Sequence, residues 1–427
     1  MSVGMFLVIC LVVCLLVGLP IAFSLGLTAV SYFFYVGDTR YLIVMAQRLF
    51  NGVNSFELIA IPLFILAGDL MYEGKISQAL VNLAKSMVGS VRGSMPIIGT
   101  VSCMFFGAVS GSGPATTSAI SSVVVHDMKE DGYPMTFGAC SIAAAGPLGS
   151  LIPPSITMVV YGVTTNTSVG ELLLAGVWPG LVFGCCLMVY EYYVCKKNNY
   201  GKIVPFSLVN LVKNTVTAIP ALLTPLIILG GIYSGIFTPT EAGCAAVFYA
   251  LFIGMFWNKS VKLKDLPKIL LKSGVAASTI VLIIAAVSCL SFVLTREQIP
   301  EELAAMAVQS LSAPWQFLLV VNIIYIFAGM IENGSSAIVM LAPILHPIAL
   351  KFGIDPVFFG AMTVANLAIG MVTPPMAASL YIAARIFDVE VPSVIKGIMP
   401  FFYVLCFGLF LVCLTAPMVT WLPNLLF

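Results

Sequence analysis

The apolar positions of this chain fall into long runs, and the runs come in two sets of similar order. Stretches at about 4 to 20, 21 to 36, 57 to 73, 135 to 165 and 173 to 194 each read as a membrane helix. A second set follows at about 215 to 234, 240 to 257, 273 to 294, 356 to 385 and 398 to 422. Between the third and fourth members of each set lies a further apolar segment with a polar, glycine-rich centre, at 96 to 128 and at 314 to 350. Each is long enough for two short helices and carries a tip that breaks them, so both read as re-entrant hairpins. Tyr41 to Phe50 and Val261 to Lys272 read as amphipathic helices lying along the interface.

One run in each set is interrupted by a double proline. The first reads Gly149-Ser-Leu-Ile-Pro153-Pro154 and the second Gly370-Met-Val-Thr-Pro374-Pro375, an offset of 221 (374 minus 153). Two prolines remove two backbone donors and unwind a helix. In lipid such a break survives only where protein or a water-filled cavity surrounds the freed groups. Other matches support a duplication: Phe105 with Phe327, Gly107 with Gly329, Ala115 with Ala337 and Pro134 with Pro356 at an offset of 222 (327 minus 105). Each unit holds five crossings, an odd number, so the second runs through the bilayer in the opposite sense. The expected fold is an all-α polytopic membrane protein of two inverted-topology repeats, each with one broken helix and one re-entrant hairpin. Residues 1–195 form the first repeat, with scaffold helices within 1–73, the hairpin 96–128, the broken helix 135–165 and a helix at 173–194. A linker at 196–214 leads to the second repeat, 215–427, with scaffold helices in 215–294, the hairpin 314–350, the broken helix 356–385 and a helix at 398–422.

Composition agrees with this reading. The chain is 60% hydrophobic with a mean hydropathy of +1.08, and it has 19 basic and 18 acidic residues in 427. A net charge of +1 without basic tracts gives no reason to invoke nucleic acid. Eleven cysteines, nearly all inside apolar runs, read as small buried residues. The first apolar run lacks a basic leader and reads as a retained helix. Lys196, Lys197, Lys202 and Lys213 precede the second unit, and Lys259, Lys262, Lys264, Lys268 and Lys272 follow its second crossing. Both loops are cytoplasmic by the positive-inside rule, which puts both termini outside. Lys75, Lys85 and Arg92 then fall inside, whereas Arg40 and Arg48 are exceptions.

Candidate chemistry gathers at the hairpin tips. The first reads Gly107-Ala-Val-Ser-Gly-Ser-Gly-Pro-Ala-Thr-Thr117, the second Gly329-Met-Ile-Glu-Asn-Gly-Ser-Ser336. Tip glycines turn the backbone so that carbonyls and hydroxyls face a small cation, while the following half-helix offers amides to an anion. One cation site per unit is expected: Ser110, Ser112, Gly149 and Pro153 in the first, Asn333, Gly370, Thr373 and Pro374 in the second. Such neutral oxygens suit sodium. A substrate carboxylate is expected at Gly113, Pro114, Ala115, Ser335 and Ser336, with Asn366 turned into the same cavity. The same residues would also serve as packing glycines and helix caps. Glu332 is the one acid at an expected site. His126 and His346 have no acidic partner at ligand spacing and read as structural, and Arg385 reads as snorkelling to the interface. Walker A, His-Glu-x-x-His and Gly-x-Ser-x-Gly motifs are missing, so energy must come from an ion gradient or a separate chain.

Taken together, Ile61-Pro-Leu-Phe-Ile-Leu-Ala-Gly68, Phe105-Phe-Gly-Ala-Val-Ser-Gly-Ser-Gly113, Gly149-Ser-Leu-Ile-Pro-Pro-Ser155, Gly235-Ile-Phe-Thr-Pro-Thr-Glu-Ala-Gly243 and Ile369-Gly-Met-Val-Thr-Pro-Pro375 resemble the large membrane subunit of tripartite ATP-independent periplasmic (TRAP) transporters. The resemblance spans essentially the whole chain. It implies a sodium-driven importer of elevator type in a bacterial inner membrane, with Na+ as the co-transported ion and no organic cofactor. It also implies three partners: a small four-helix membrane subunit, here expected as a separate polypeptide, a periplasmic substrate-binding protein and a small organic acid. The sialic-acid and sugar-acid branch is the expected one, with C4-dicarboxylates next. The alternatives are a carboxylate carrier or antiporter that needs no binding protein, and a channel; an intramembrane enzyme lacks a nucleophile and base pair.

Overall fold

A computed structural model describes residues 3–74, 76–91, 93–201, 207–375 and 377–426, so Lys75, Arg92 and Lys202 of the topology argument lie outside the described residues. Every described element is helical. The chain opens with α1 (Val3–Leu16) and α2 (Ile21–Val36), then α3 (Leu42–Val53) and α4 (Ala60–Glu73), the last two meeting at a bend of 59°. An arm helix α5 (Ile76–Val88) leads to α6 (Ser94–Ser110) and α7 (Gly113–Glu130), the arms of the first hairpin. The first broken helix is α8 (Met135–Ala145), a tight turn at Gly146–Ser150 and α9 (Ile156–Thr165); α10 (Val169–Ala175) and α11 (Val177–Asn198) close this half.

The second half follows. It has α12 (Leu208–Tyr233), α13 (Pro239–Phe252) with a wide turn at Ile253–Trp257, α14 (Leu266–Arg296) and the arm α15 (Ile299–Ser310). The second hairpin is α16 (Pro314–Ile331) and α17 (Gly334–Lys351), the second broken helix α18 (Pro356–Gly370) and α19 (Ala378–Ile386), and the end α20 (Val391–Leu414) with α21 (Ala416–Leu426).

Seven helices among the described residues are long and apolar enough to cross a membrane, an eighth if the bent α3–α4 pair counts as one span. The other expected crossings are the short α1 and α2 and the two broken helices. At 1.5 Å per residue, the 14 residues of α1 rise only about 21 Å. Both arms of the second hairpin have 18 residues, a rise of about 27 Å each, so their length alone does not separate a re-entrant hairpin from two crossings.

One expectation is corrected, and two elements are new. The interfacial helix expected at 261 to 272 is not a separate element, because α14 runs unbroken for 31 residues from Leu266. No counterpart of the Asn54–Ser55 break, which lets α3 bend away from α4, interrupts it. The arms α5 and α15 were not anticipated. In α5, Ile76, Ser77, Leu80, Val81, Leu83 and Ala84 form one buried face, and Lys85 on another face reaches Asp127 of α7 at 2.6 Å.

Packing is crossed between the halves. Each hairpin packs against its own broken helix, α6 and α7 against the Gly146–Ser150 turn, α16 and α17 against α18. The second half of each broken helix then crosses over: α9 packs on α17, and α19 packs on α7 and α8. Tyr161 of α9 and Nδ1 of His346 in α17 hydrogen-bond at 2.8 Å across that crossing. Among the other helices, α14 packs on α2, α3 and α4, and α4 on α13, while α11 and α20 pack on each other and on α8.

Glu191 of α11 is fully buried, and its carboxylate oxygens accept from Thr100 Oγ1 at 2.9 and 3.0 Å and from Ser141 Oγ at 2.6 Å. It thereby ties α11 to the first hairpin and the first broken helix. Glu191→Gln keeps an acceptor for both hydroxyls and leaves the melting temperature nearly unchanged. Glu191→Ala strands two buried hydroxyls and costs about 1–3 kcal/mol, read as a clear fall in melting temperature of the detergent-solubilised protein.

Candidate functional site

Glycine pairs seat each hairpin on its break. A Cβ on Gly107 would meet the Gly149 Cα at 2.7 Å, and one on Gly370 would meet the Gly329 Cα at 2.5 Å. Only hydrogen side chains permit backbone to lie on backbone at these points. The contact supplies a partner for a group after the break and for one at the tip: Ile156 N–H donates to Gly111 O at 3.3 Å, and Gly113 N–H, at the start of α7, to Ser150 Oγ at 3.0 Å. Within the second break, Ser379 N–H donates to Met371 O at 3.3 Å. Both Pro153–Pro154 and Pro374–Pro375 bonds are cis.

The first tip turns at Gly111, whose φ of +63° is the left-handed region. Ser110 Oγ lies 2.8 Å from Thr116 Oγ1, and Ser112 N–H donates to it at 3.4 Å. At the second tip Asn333 caps α17 by accepting from Ser335 N–H at 3.4 Å. The two tips come together around Met371, whose Sδ and Cε are the neighbours that a Cβ on Gly113 or Gly334 would meet, both at 3.1 Å. Ser150 and Met371, which touch here, stand 221 positions apart, the offset of the double prolines.

A cavity of about 580 Å³ opens beside the tips, within the usual range for small-molecule sites. Of the expected residues, Ser110, Ser112, Pro114, Ala115, Asn333, Ser335 and Ser336 line it. Gly113, Gly149, Pro153, Gly370, Thr373 and Pro374 do not line it. Thr373 is buried, with its hydroxyl donated to Ile369 O at 2.8 Å. Asn366 departs from the expectation: it turns away from the cavity and donates to Asn322 O and Oδ1 on α16, at 2.9 and 2.7 Å. His126 also departs, since Glu130 lies 3.1 Å from its Nε2, one helical turn on, with both side chains exposed.

Sequence reasoning missed the other wall. Asp69 and Tyr72 of α4 and Lys272, Thr279 and Ile283 of α14 line the cavity, as do Ser150 and Thr157 from the first break. Asp69 Oδ1 takes Lys272 Nζ at 2.6 Å, and Oδ2 takes the Ser273 hydroxyl at 2.7 Å. The available signal was Asp69 itself, an acid inside the apolar run from Ile61 to Met71. Gly68 beside it lies against the first tip, where a Cβ would stand 2.9 Å from Ser110 O.

Gly107→Ala and Gly370→Ala each push the hairpin off its break, at a cost of about 1–3 kcal/mol. Gly230→Ala, at a position with nothing within 4 Å, is neutral or slightly stabilising. Monodispersity and melting temperature of the three variants check this.

Residues 8–418 match the family model described as the tripartite ATP-independent periplasmic transporter, DctM component. The chain is 40% identical to the C4-dicarboxylate TRAP transporter large permease protein DctM of Pseudomonas aeruginosa, covering 89% of each. It is 35% identical to the sialic acid TRAP transporter large permease protein SiaM of Vibrio cholerae, over 96% of this chain and 95% of that one. It is also 38% identical to the isethionate TRAP transporter permease protein DctMQ of Oleidesulfovibrio alaskensis, over 90% of this chain but 60% of the longer relative. In three dimensions it resembles the YdaH transporter of Alcanivorax borkumensis with a TM-score of 0.63, 91% of this chain covering 89% of that one at 13% identity. That likeness concerns the fold alone.

Proposed function

The chain belongs to the DctM-component family of TRAP transporters, and from that premise we propose that it is the translocating subunit of a sodium-coupled importer of organic acids. It is a multi-pass membrane transport protein, not an enzyme. The observation that carries the proposal is the meeting of two hairpin tips, each seated on its own broken helix, beside one cavity.

In this reading the two halves are inverted repeats, and the hairpins with their broken helices form one transport body. The helices α1 to α4 and α12 to α14 form the scaffold, and the body slides past α4 and α14 between the faces of a bacterial inner membrane. Sodium is cargo. Ser110, Ser112, Gly149 and Pro153 would hold one ion, and Asn333, Gly370, Thr373 and Pro374 a second, through hydroxyl and carbonyl oxygens. Ion occupancy would order both tips and lower the cost of binding the acid. Its carboxylate would lie against the N-terminal amides of α7 and α17, where the helix dipole favours an anion. Gly113, Pro114, Ala115, Ser335 and Ser336 bound that place. A small four-helix membrane subunit and a periplasmic binding protein would complete the transporter, with both termini on the periplasmic side.

C4-dicarboxylates come first among substrates to test and sialic acid next, which reverses the order expected from sequence. The reason is the higher identity to the relative named for C4-dicarboxylate, 40% against 35%. Uptake of labelled succinate, then of sialic acid, is measured in proteoliposomes holding this chain and its small subunit. Import that requires both an inward sodium gradient and the binding protein is expected. Import needing sodium alone would make it an independent carrier, and import indifferent to sodium would reject the coupling. Ser110→Ala and Thr373→Val should each raise the sodium concentration for half-maximal uptake by about tenfold, equivalent to about 1.4 kcal/mol.

A further inference from the structure

We propose that Lys272 is an anion-binding group on the route by which the substrate leaves the cavity, and that an organic carboxylate departs by taking Lys272 from Asp69. The inference rests on the transport reading above and adds a release device in the scaffold. Among the described residues that line the cavity, Asp69 and Lys272 alone carry charge. On α14 the lining positions are Lys272, Ala276, Thr279, Ile280 and Ile283, spaced three and four apart along one face of the helix. From Ile283 to Lys272 that face rises about 16 Å. An anion moving along it meets no charge until it reaches the ammonium, only the Thr279 hydroxyl among apolar side chains.

The pair is built to exchange partners. The Lys272 side chain is 59% exposed and Asp69 only 15%, so the lysine is the member that faces open space. Its charge sits on a flexible stem, and an ion pair this exposed is weak enough for an incoming carboxylate to compete. When Lys272 leaves, Asp69 keeps the Ser273 hydroxyl at 2.7 Å and is not stranded. The Tyr72 ring, whose centroid lies 5.6 Å from Lys272 Nζ, gives the ammonium a second resting place. Asp69 therefore sets how tightly the departing anion is held: it competes with the anion and releases it when it recaptures the lysine.

The alternative is a plain staple between α4 and α14, and the two roles differ in sign. Labelled-acid counterflow is measured in oriented proteoliposomes that hold this chain with its small subunit, the binding protein being supplied on the opposite face, for wild type, Lys272→Gln, Asp69→Asn, the double variant and Lys272→Arg. The half-saturation concentration is read for acid supplied on the side to which Lys272 opens. The release role predicts that Lys272→Gln raises it about fivefold or more, on the scale of one charge-assisted contact. Asp69→Asn lowers it and slows turnover, because the freed lysine holds the acid longer, and Lys272→Arg stays near wild type. A staple predicts the same direction for both single variants and a double variant no worse than either, and that result would overturn the proposal, as would two unshifted values. If Lys272→Gln does not fold, the direction of the Asp69→Asn shift decides. Wild type without sodium-dependent counterflow would reject the transport reading itself, and the release role with it. Normal wild-type counterflow with the wrong signs in the variants rejects only the release role.

Discussion

The contact of backbone on backbone at two glycine pairs, Gly107 with Gly149 and Gly329 with Gly370, is the constraint on which the rest of the structure depends. A helix broken by two prolines has backbone groups with no partner in its own segment, and a membrane interior offers no water to replace them. Seating a hairpin tip on the break answers part of that need, as when Gly111 O takes the Ile156 amide, and the break in turn serves the tip, as when Ser150 Oγ takes the Gly113 amide. A side chain at either glycine would hold the hairpin away from the break. Small residues at a close helix approach are thus a condition for keeping irregular backbone inside the protein.

The crossing of the broken helices extends this local contact to the whole body. Because α9 leaves the first break and packs on α17, while α19 leaves the second and packs on α7 and α8, each hairpin is packed against a piece of the other half, and in the proposed mechanism the two shift together. The Tyr161–His346 hydrogen bond and the convergence of both tips on Met371 act in the same sense. Against this body stands α14, a single helix of 31 residues whose face supplies one wall of the cavity. In the proposed mechanism the neutral oxygens lie with the tips and the Asp69–Lys272 pair lies with the wall. Binding and release would then be handled by different parts of the molecule.

Much of this was legible in the sequence because proline and glycine have few structural alternatives. The double prolines marked the breaks, the tip glycines marked the hairpins, and both sets recurred at nearly one offset. Ser110, Ser112, Pro114, Ala115, Asn333, Ser335 and Ser336, singled out by those tips, line the cavity. Asn366 was misplaced because an apolar helix buried on every side gives no pattern from which to read its facing; all 15 residues of α18 except Pro356 are buried. The arms α5 and α15 were missed because 13 and 12 residues with charges do not register as apolar runs. Lys272 was read as one more lysine of a cytoplasmic loop, since nothing in a charge count shows that α14 extends unbroken through that stretch and turns this residue toward Asp69.

The central claim is that the two hairpins travel together as one body past α14. Spin labels at Lys129→Cys and Lys351→Cys mark the far ends of α7 and α17, and a third at Lys268→Cys marks the start of α14, in a background lacking the exposed Cys185 and Cys244. Distances are measured in pairs by pulsed electron spin resonance, in sodium alone and in sodium with substrate. The account predicts that the distance between positions 129 and 351 stays constant while both distances to position 268 shift together. A change in the distance between 129 and 351, with one hairpin fixed relative to 268, would contradict it.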